Sequence, residues 1–215
     1  MKILHIDCSP REDSHSRRLS AAIVARLFAV DSEATVMRRD LGHNPIPHAD
    51  AGYATVLSSP AALASAKVEE ATHLSEQLIE EVEAADVIVV GTPMNNFTVP
   101  SVLKAWIDRI LRMGRTIGTA PTGEKIGLLN DKPVYIGIAA GGFFTGGRAK
   151  QPDFLTPYLR AAFGVVGLNS LQFFPLQATA LLDNDQLAVK RNDLIATMDT
   201  SGIEGRLFQK AIGMR

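Results

Sequence analysis

Five segments with the composition of β-strands recur along the chain, and helical patterns separate them. At least three, including "DVIVVGT" and "PVYIGIA", are nearly continuous apolar runs, which is typical of strands buried on both faces of a parallel sheet. The alternation predicts an α/β protein, an open sandwich in which helices cover a five-stranded sheet. The predicted strands are Lys2–Asp7, Ala34–Arg39, Asp86–Thr92, Pro133–Ala139 and Ser170–Phe174. The predicted helices are Ser16–Ala29, Ala61–Ala84, Val99–Met113, Phe154–Phe163 and Asp185–Thr200.

Two long segments between these elements are predicted to be loops. Leu41–Tyr53 contains two X-Pro pairs, which favour extended backbone, and Gly114–Asp131 is rich in Gly, Thr and Pro. Neither is long enough or biased enough in composition to separate two domains. With 215 residues and 46% apolar content, the chain can bury one core, so residues 1–215 are predicted to form a single domain.

The charge balance and the cysteine count limit the classes of partner. A net charge of -1 gives no sign of the basic surface that nucleic acid or an anionic membrane attracts. No apolar run approaches the roughly 18 residues of a membrane span. Cys8 is the only cysteine, so no internal disulfide forms; we expect a small buried side chain there and a cytoplasmic location.

The segment "CSPREDSHSRRLS" connects the first strand to the first helix. The first N–H groups of a helix have no acceptor inside it, and the helix dipole favours an anion there. The segment lacks the Gly-x-Gly-x-x-Gly pattern of a dinucleotide site, so a terminal phosphate would meet hydroxyl and N–H groups of Ser9, Ser14, His15 and Ser16. The other interpretation is that Ser14 or Ser16 only caps the helix, and this segment alone does not decide between the two.

A second candidate loop, "TPMNNF", follows the strand Asp86–Thr92. Apolar and amide side chains crowd into a few positions, which suits a ring-shaped ligand with polar edges, such as a flavin. The alternative is a turn in which Asn tolerates left-handed backbone while Met94 and Phe97 pack on the next helix. Trp106, in that helix, is predicted to belong to the core.

The third candidate loop is "AAGGFF", which follows the strand Pro133–Ala139. Gly141 and Gly142 allow backbone to approach a planar group without an intervening Cβ. The histidines show no metal-ligand spacing, and no Gly-x-Ser-x-Gly or Walker sequence is present. These side chains therefore form no competing site; Cys8 could be reactive at a positive helix start, but we favour a small buried side chain there.

The order of these three segments resembles the FMN-dependent NAD(P)H azoreductases, which are flavodoxin-like quinone reductases of bacteria. The resemblance covers nearly the whole chain. Its most specific part is Pro-Met-x-Asn-Phe leading into Leu-Lys-x-Trp, which is matched by Pro93, Met94, Asn96, Phe97, Leu103, Lys104 and Trp106.

The resemblance implies a flavodoxin-like, doubly wound sheet in the order 2-1-3-4-5 with helices on both faces. It also implies an FMN enzyme in which NADH or NADPH gives a hydride to flavin N5 and a quinone or azo compound then takes it, within a homodimer and without a catalytic side chain. The implied FMN-binding residues are Ser9, Ser14, His15, Ser16, Pro93, Met94, Asn95, Asn96, Phe97, Ala139, Ala140, Gly141 and Gly142.

Some positions depart from the family pattern. Relatives often have an aromatic residue at Asn95 and a polar residue or Arg before the glycine pair, where this chain has Ala139 and Ala140. These departures are expected to alter substrate preference more than FMN binding, because lost aromatic walls change stacking. Two other classes stay open from the residues alone: a flavodoxin-type electron carrier and a regulator without cofactor.

Overall fold

The five predicted strands form one parallel sheet, and each lies within two residues of its predicted bounds. The computed structural model of the chain describes residues 1–58 and 68–205. In chain order its elements include β1 (Lys2–Asp7), α1 (His15–Val30), β2 (Thr35–Asp40), α2 (Ala51–Leu57), α3 (Val68–Ala84), β3 (Val87–Pro93), α4 (Ser101–Ile110), β4 (Ile117–Thr119), β5 (Lys125–Gly127), β6 (Val134–Ala139), α5 (Leu155–Val165), β7 (Leu171–Leu176) and α6 (Asn184–Ala196). The sheet order is β2-β1-β3-β6-β7 with parallel pairing throughout. The order expected from the resemblance is therefore confirmed.

Helices cover both faces of this sheet because successive side chains of its strands point to opposite sides. On one side, Val87 and Val89 of β3 pack with α1 and α6. On the other, Ile88 and Val90 pack with α3, α4 and α5. Trp106 of α4 is fully buried in this second cluster, which confirms its predicted place in the core. In the ranges 1–58 and 68–205 we find no helix with the length and apolar character needed to span a bilayer.

The predicted helices are present, with differences at their ends. The predicted helix Ala61–Ala84 is confirmed from Val68 onward, and its first seven positions lie outside the described residues. Helix α4 ends at Ile110, before the predicted Met113. Helix α6 ends at Ala196, four residues before the predicted end at Thr200.

Both segments predicted as loops contain short elements. The last residues of Leu41–Tyr53 begin α2, where the side chain of Asp50 accepts the N–H of Tyr53 at 2.8 Å and Tyr53 and Val56 are buried. The segment Gly114–Asp131 contains the antiparallel hairpin β4–β5. These predictions were wrong because a seven-residue helix and three-residue strands are too short to show a hydrophobic period.

Helix α1 lies against the sheet over two glycines. A Cβ added to Gly91 of β3 would lie 2.5 Å from Ser20 Oγ and 2.9 Å from the backbone oxygen of Ser16, and one added to Gly137 of β6 would lie 2.9 Å from Leu19 Cγ. Contacts this short are not tolerated, so glycine at both positions allows α1 to approach the strands. The approach brings the first turn of α1 to the carboxyl end of the sheet.

We expect Gly91→Ala to lower the free energy of unfolding by about 1–3 kcal/mol, because the added methyl group overpacks the contact with α1. The matched control is Gly147→Ala, since a Cβ at this exposed glycine has nothing within 4 Å. Urea unfolding of both variants at one protein concentration, followed by circular dichroism, measures the difference. Equal stabilities of the two variants would contradict this account of the packing.

Candidate functional site

A cleft of about 370 Å³ opens at the carboxyl ends of β1, β3 and β6. In a sheet of this order the connections change direction between β1 and β3, and ligands of open α/β sheets bind at such a point. Most of the predicted cofactor-binding residues come together here. Those that line the cleft are Ser9, Ser14, His15, Ser16, Pro93, Met94, Asn95, Ala139 and Gly141.

Ser14 caps α1 and also faces the cleft. Its Oγ accepts the N–H of Arg17 at 3.2 Å and lies 3.2 Å from Ser16 Oγ. The N–H of Arg18 is the first to donate within the helix, to the carbonyl of Ser14, so the N–H groups of His15 and Ser16 have no acceptor inside the helix. The cap interpretation is therefore correct, and the same residues still offer hydroxyl and N–H donors to an anion.

His15 is half-buried in the wall of the cleft. Burial lowers the pKa of its imidazole, and the charges of Arg18 and Arg11 lower it further, against a smaller opposite effect of Asp13. Because the ordinary pKa of histidine is already below 7, the ring is neutral at pH 7. A dianion bound beside it would favour the protonated ring.

The second loop is a tight turn that projects an aromatic ring. Asn95 and Thr98 exchange two backbone hydrogen bonds of 3.0 Å, and the two residues between them, Asn96 and Phe97, have φ of 47° and 72°. Positive φ at both central residues is the pattern of a type I′ turn. Asn adopts such a backbone readily, whereas Phe97 stands where glycine is usual and is strained. The turn interpretation of this loop is thus confirmed for Asn96.

The third loop is tied to the second by backbone. The N–H of Met94 donates to the carbonyl of Ala139 at 2.9 Å, which extends the pairing of β3 with β6. Gln151 Nε2 approaches Met94 Sδ at 3.4 Å from the other side. Met94 is thereby held at two points, through its backbone by Ala139 and through its sulfur by Gln151.

Four of the predicted residues do not line this cleft. Asn96 and Phe97 lie at the exposed tip of the turn. Ala140 is buried, and its N–H donates to the carbonyl of Leu176 at 3.0 Å. A Cβ at Gly142 would lie 3.1 Å from Gln151 Oε1, so this glycine packs against a side chain.

Three further residues line the cleft and were missed from the sequence: Pro10, Arg11 and Thr179. Pro10 and Arg11 belong to the first loop, from which the sequence analysis selected only the serines and His15. Thr179 follows β7, and its N–H donates to the carbonyl of Ala140 at 3.0 Å. The carboxyl-end rule, applied to the fifth strand as well as to the others, would have found it.

A buried carboxylate lies beneath the first loop. Asp7, the last residue of β1, is fully buried and accepts Ser20 Oγ and Arg38 Nη2, each at 2.9 Å. Burial alone would raise the pKa of Asp7, but the interactions with His5, Arg38 and Ser20 outweigh it and leave this pKa lowered. Asp7 is therefore ionised and held by partners on α1 and β2.

Cys8 and the possible metal ligands are the other side chains that the sequence analysis considered for chemistry. Cys8 is fully buried, which confirms the predicted small core residue. Burial raises the pKa of its thiol, so it is protonated and a poor nucleophile. Among residues 1–58 and 68–205, no group of three or more His, Cys, Asp and Glu side chains could hold a metal ion.

Comparison with solved structures gives the fold of an FMN enzyme. The crystal structure of an FMN-dependent NADH-azoreductase from Bacillus anthracis in complex with FMN superimposes with a TM-score of 0.76 at 21% identity, over 96% of this chain and 98% of that one. At this identity the likeness concerns the fold alone.

Comparison of sequences gives nearer relatives. A family model described as having the flavodoxin-like fold matches residues 1–198. FMN-dependent NADH:quinone oxidoreductase 2 of Cupriavidus pinatubonensis is 43% identical over 180 residues, 83% of this chain and 87% of that protein. FMN-dependent NADH:quinone oxidoreductase 4 of Pseudomonas fluorescens is 43% identical over 182 residues, 84% of this chain and 86% of that protein. The chain therefore belongs to the flavodoxin-like fold family that includes the FMN-dependent NADH:quinone oxidoreductases.

Proposed function

We propose that this protein is an FMN-dependent oxidoreductase that uses NADH to reduce quinones or azo compounds. The observation that carries the proposal is a single cleft with hydroxyl groups and a helix start at one end and with Met94, Asn95 and Gly141 at the other. The names of the relatives at 43% identity support the same chemistry. They favour an enzyme over an electron carrier.

The chemistry of the first loop fits the FMN phosphate. Ser9, Ser14 and Ser16 offer hydroxyl groups, and the first turn of α1 offers N–H groups. Arg11 lies at the same wall, where its guanidinium is paired with Asp13. Hydroxyl and backbone donors at a helix N-terminus favour a terminal phosphate. We assign Ser9, Ser14, His15 and Ser16 to this role.

The other two loops suit the ring system of FMN. When bound, FMN supplies the two-electron hydride chemistry. Pro93, Met94 and Asn95 would border one edge of the rings and Ala139 and Gly141 another. Asn96, Phe97, Ala140 and Gly142 would act from behind, by fixing the backbone of these loops. We assign no side chain the role of proton donor, and the protein's task is to orient the two substrates in turn.

We propose that residues 1–215 act as one FMN-binding domain in the cytoplasm. The two core clusters share the strands of a single sheet, which supports one folding unit. A single cysteine, buried as a thiol, is suited to a reducing compartment.

The purified protein, incubated with FMN and desalted, should retain flavin absorbance and should consume NADH steadily when a small quinone is present. An electron carrier would keep the flavin but would not sustain NADH oxidation. A protein that retains no flavin would contradict the proposal as a whole.

Replacing Ser16 by Asp should raise the Kd for FMN at least about tenfold, because a carboxylate would face the phosphate and like charges a few ångströms apart repel by about 1–4 kcal/mol. Ser16→Asn is the matched control, with the same size and no charge. Fluorescence titration with FMN measures both variants, and circular dichroism checks their folding. Equal affinities of the two variants would place the phosphate elsewhere.

We propose that the protein is a homodimer with its active sites beside the interface. Phe97 and Phe154 are 43% and 62% exposed, and the N–H of Phe154 donates to the carbonyl of Phe97 at 3.0 Å, so two aromatic rings face solvent next to the cleft. Large exposed apolar groups at one place mark interaction surfaces. A two-fold dimer would cover this pair on both subunits.

Light scattering should give twice the chain mass for the wild type, and Phe154→Glu should shift the protein toward monomer and reduce turnover. The control is Val189→Glu, an exposed apolar residue of α6 on the opposite side of the sheet, which should stay dimeric. A wild type that is monomeric and fully active would contradict the dimer. A dimeric Phe154→Glu variant would contradict this interface.

A further inference from the structure

The guanidinium of Arg17 lies beneath the first loop and holds one backbone oxygen of it. Nε and Nη2 of Arg17 donate to the carbonyl of Ser9 at 2.9 and 2.6 Å. Nη1 donates to Asp40 Oδ2 at 2.8 Å. Arg17 is 8% exposed, so it is ordered by these contacts and joins α1, the first loop and the end of β2.

The end of β2 packs directly on the same loop. The N–H groups of Leu41 and Gly42 both donate to the carbonyl of Asp7, at 2.8 and 3.2 Å. A Cβ added to Gly42 would lie only 2.0 Å from the oxygen of Ser9. The backbone that follows β2 therefore meets the end of β1 at Asp7 and the first loop at Ser9, whose carbonyl Arg17 also bonds.

Asp40 fixes the position of Arg17 in turn. Its carboxylate accepts from Arg17 and from the backbone N–H of His43, at 3.1 Å. The hydrogen bond from Arg17 holds the pKa of Asp40 well below its usual range, so the pair stays charged at neutral pH. A bidentate guanidinium–carboxylate pair sets orientation as well as position.

This arrangement determines which groups of the first loop can meet an anion. Ser9 lines the cleft. Arg17 does not; it lines a separate groove together with Arg38, Asp40 and His43. The Ser9 carbonyl is thus bound from the side opposite the cleft. A carbonyl oxygen turned toward a phosphate would repel it, and the two bonds from Arg17 prevent that rotation.

We propose that Arg17 is a positioning residue for the FMN phosphate, which acts by holding the Ser9 carbonyl and is itself held by Asp40. The inference rests on the proposed function and extends it to a residue outside the cleft. Lysine should not replace Arg17, because a single ammonium group cannot bond the Ser9 carbonyl and both oxygens of Asp40 in one planar arrangement.

The test compares FMN with riboflavin, which has the same rings and no phosphate. In Arg17→Lys the Kd for FMN should rise about tenfold or more, as for loss of a hydrogen bond from a charged group, while the Kd for riboflavin changes less than about threefold. Asp40→Asn should shift the ratio of the two Kd values in the same direction by a smaller factor.

The matched control is Arg39→Lys. It alters the guanidinium–carboxylate pair between Arg39, next to Asp40 on β2, and Glu81 of α3, and it should leave the FMN-to-riboflavin ratio unchanged. An unchanged ratio in both Arg17→Lys and Asp40→Asn would overturn the inference, and so would an equal loss of affinity for both flavins. A wild-type protein that binds no FMN would overturn the proposed function together with it, so the two failures are distinguishable.

Discussion

The close packing of α1 on the central strands decides where the other parts of the site can lie. Without Gly91 and Gly137 the helix would stand further from the sheet, since a Cβ at either position meets α1 at less than 3 Å. With them, the N-terminus of α1 lies at the carboxyl edge between β1 and β3. The helix start, the serine hydroxyls and the ends of β3 and β6 therefore meet in one cleft.

Two ion pairs lie beneath the first loop: Asp7 with Arg38, of which only Asp7 is buried, and Arg17 with Asp40. Asp7 is fully buried, and an isolated buried carboxylate would cost several kcal/mol. Its bonds to Ser20 and Arg38 offset that cost, and the pair of Arg17 with Asp40 lies beside it. The buried Asp7 carboxylate and Arg17 guanidinium each have several hydrogen-bond partners, and such a connected set favours one arrangement of the groups beneath the loop.

Much of this architecture could be predicted from the sequence, because β3 and β6 are buried on both faces and read as nearly continuous apolar runs. Positions on the cleft were also predictable, since loops after parallel strands share one edge of the sheet. The ion pair beneath the first loop, Arg17 with Asp40, could not be predicted from the sequence. Arg17 and Asp40 are 23 positions apart, and nothing in the spacing of two ordinary charged residues indicates that β2 ends beside the first turn of α1.

The turn that carries Phe97 has a consequence for attempts to engineer this protein. Its backbone, with φ of 72° at Phe97, suits glycine better than any side chain, and relief of such strain is worth about 1 kcal/mol. A library of variants selected only for resistance to heat would therefore enrich glycine at this position. The ring at the mouth of the cleft would be lost in the most heat-resistant clones, so selection must be made on turnover if the aromatic group is to be retained.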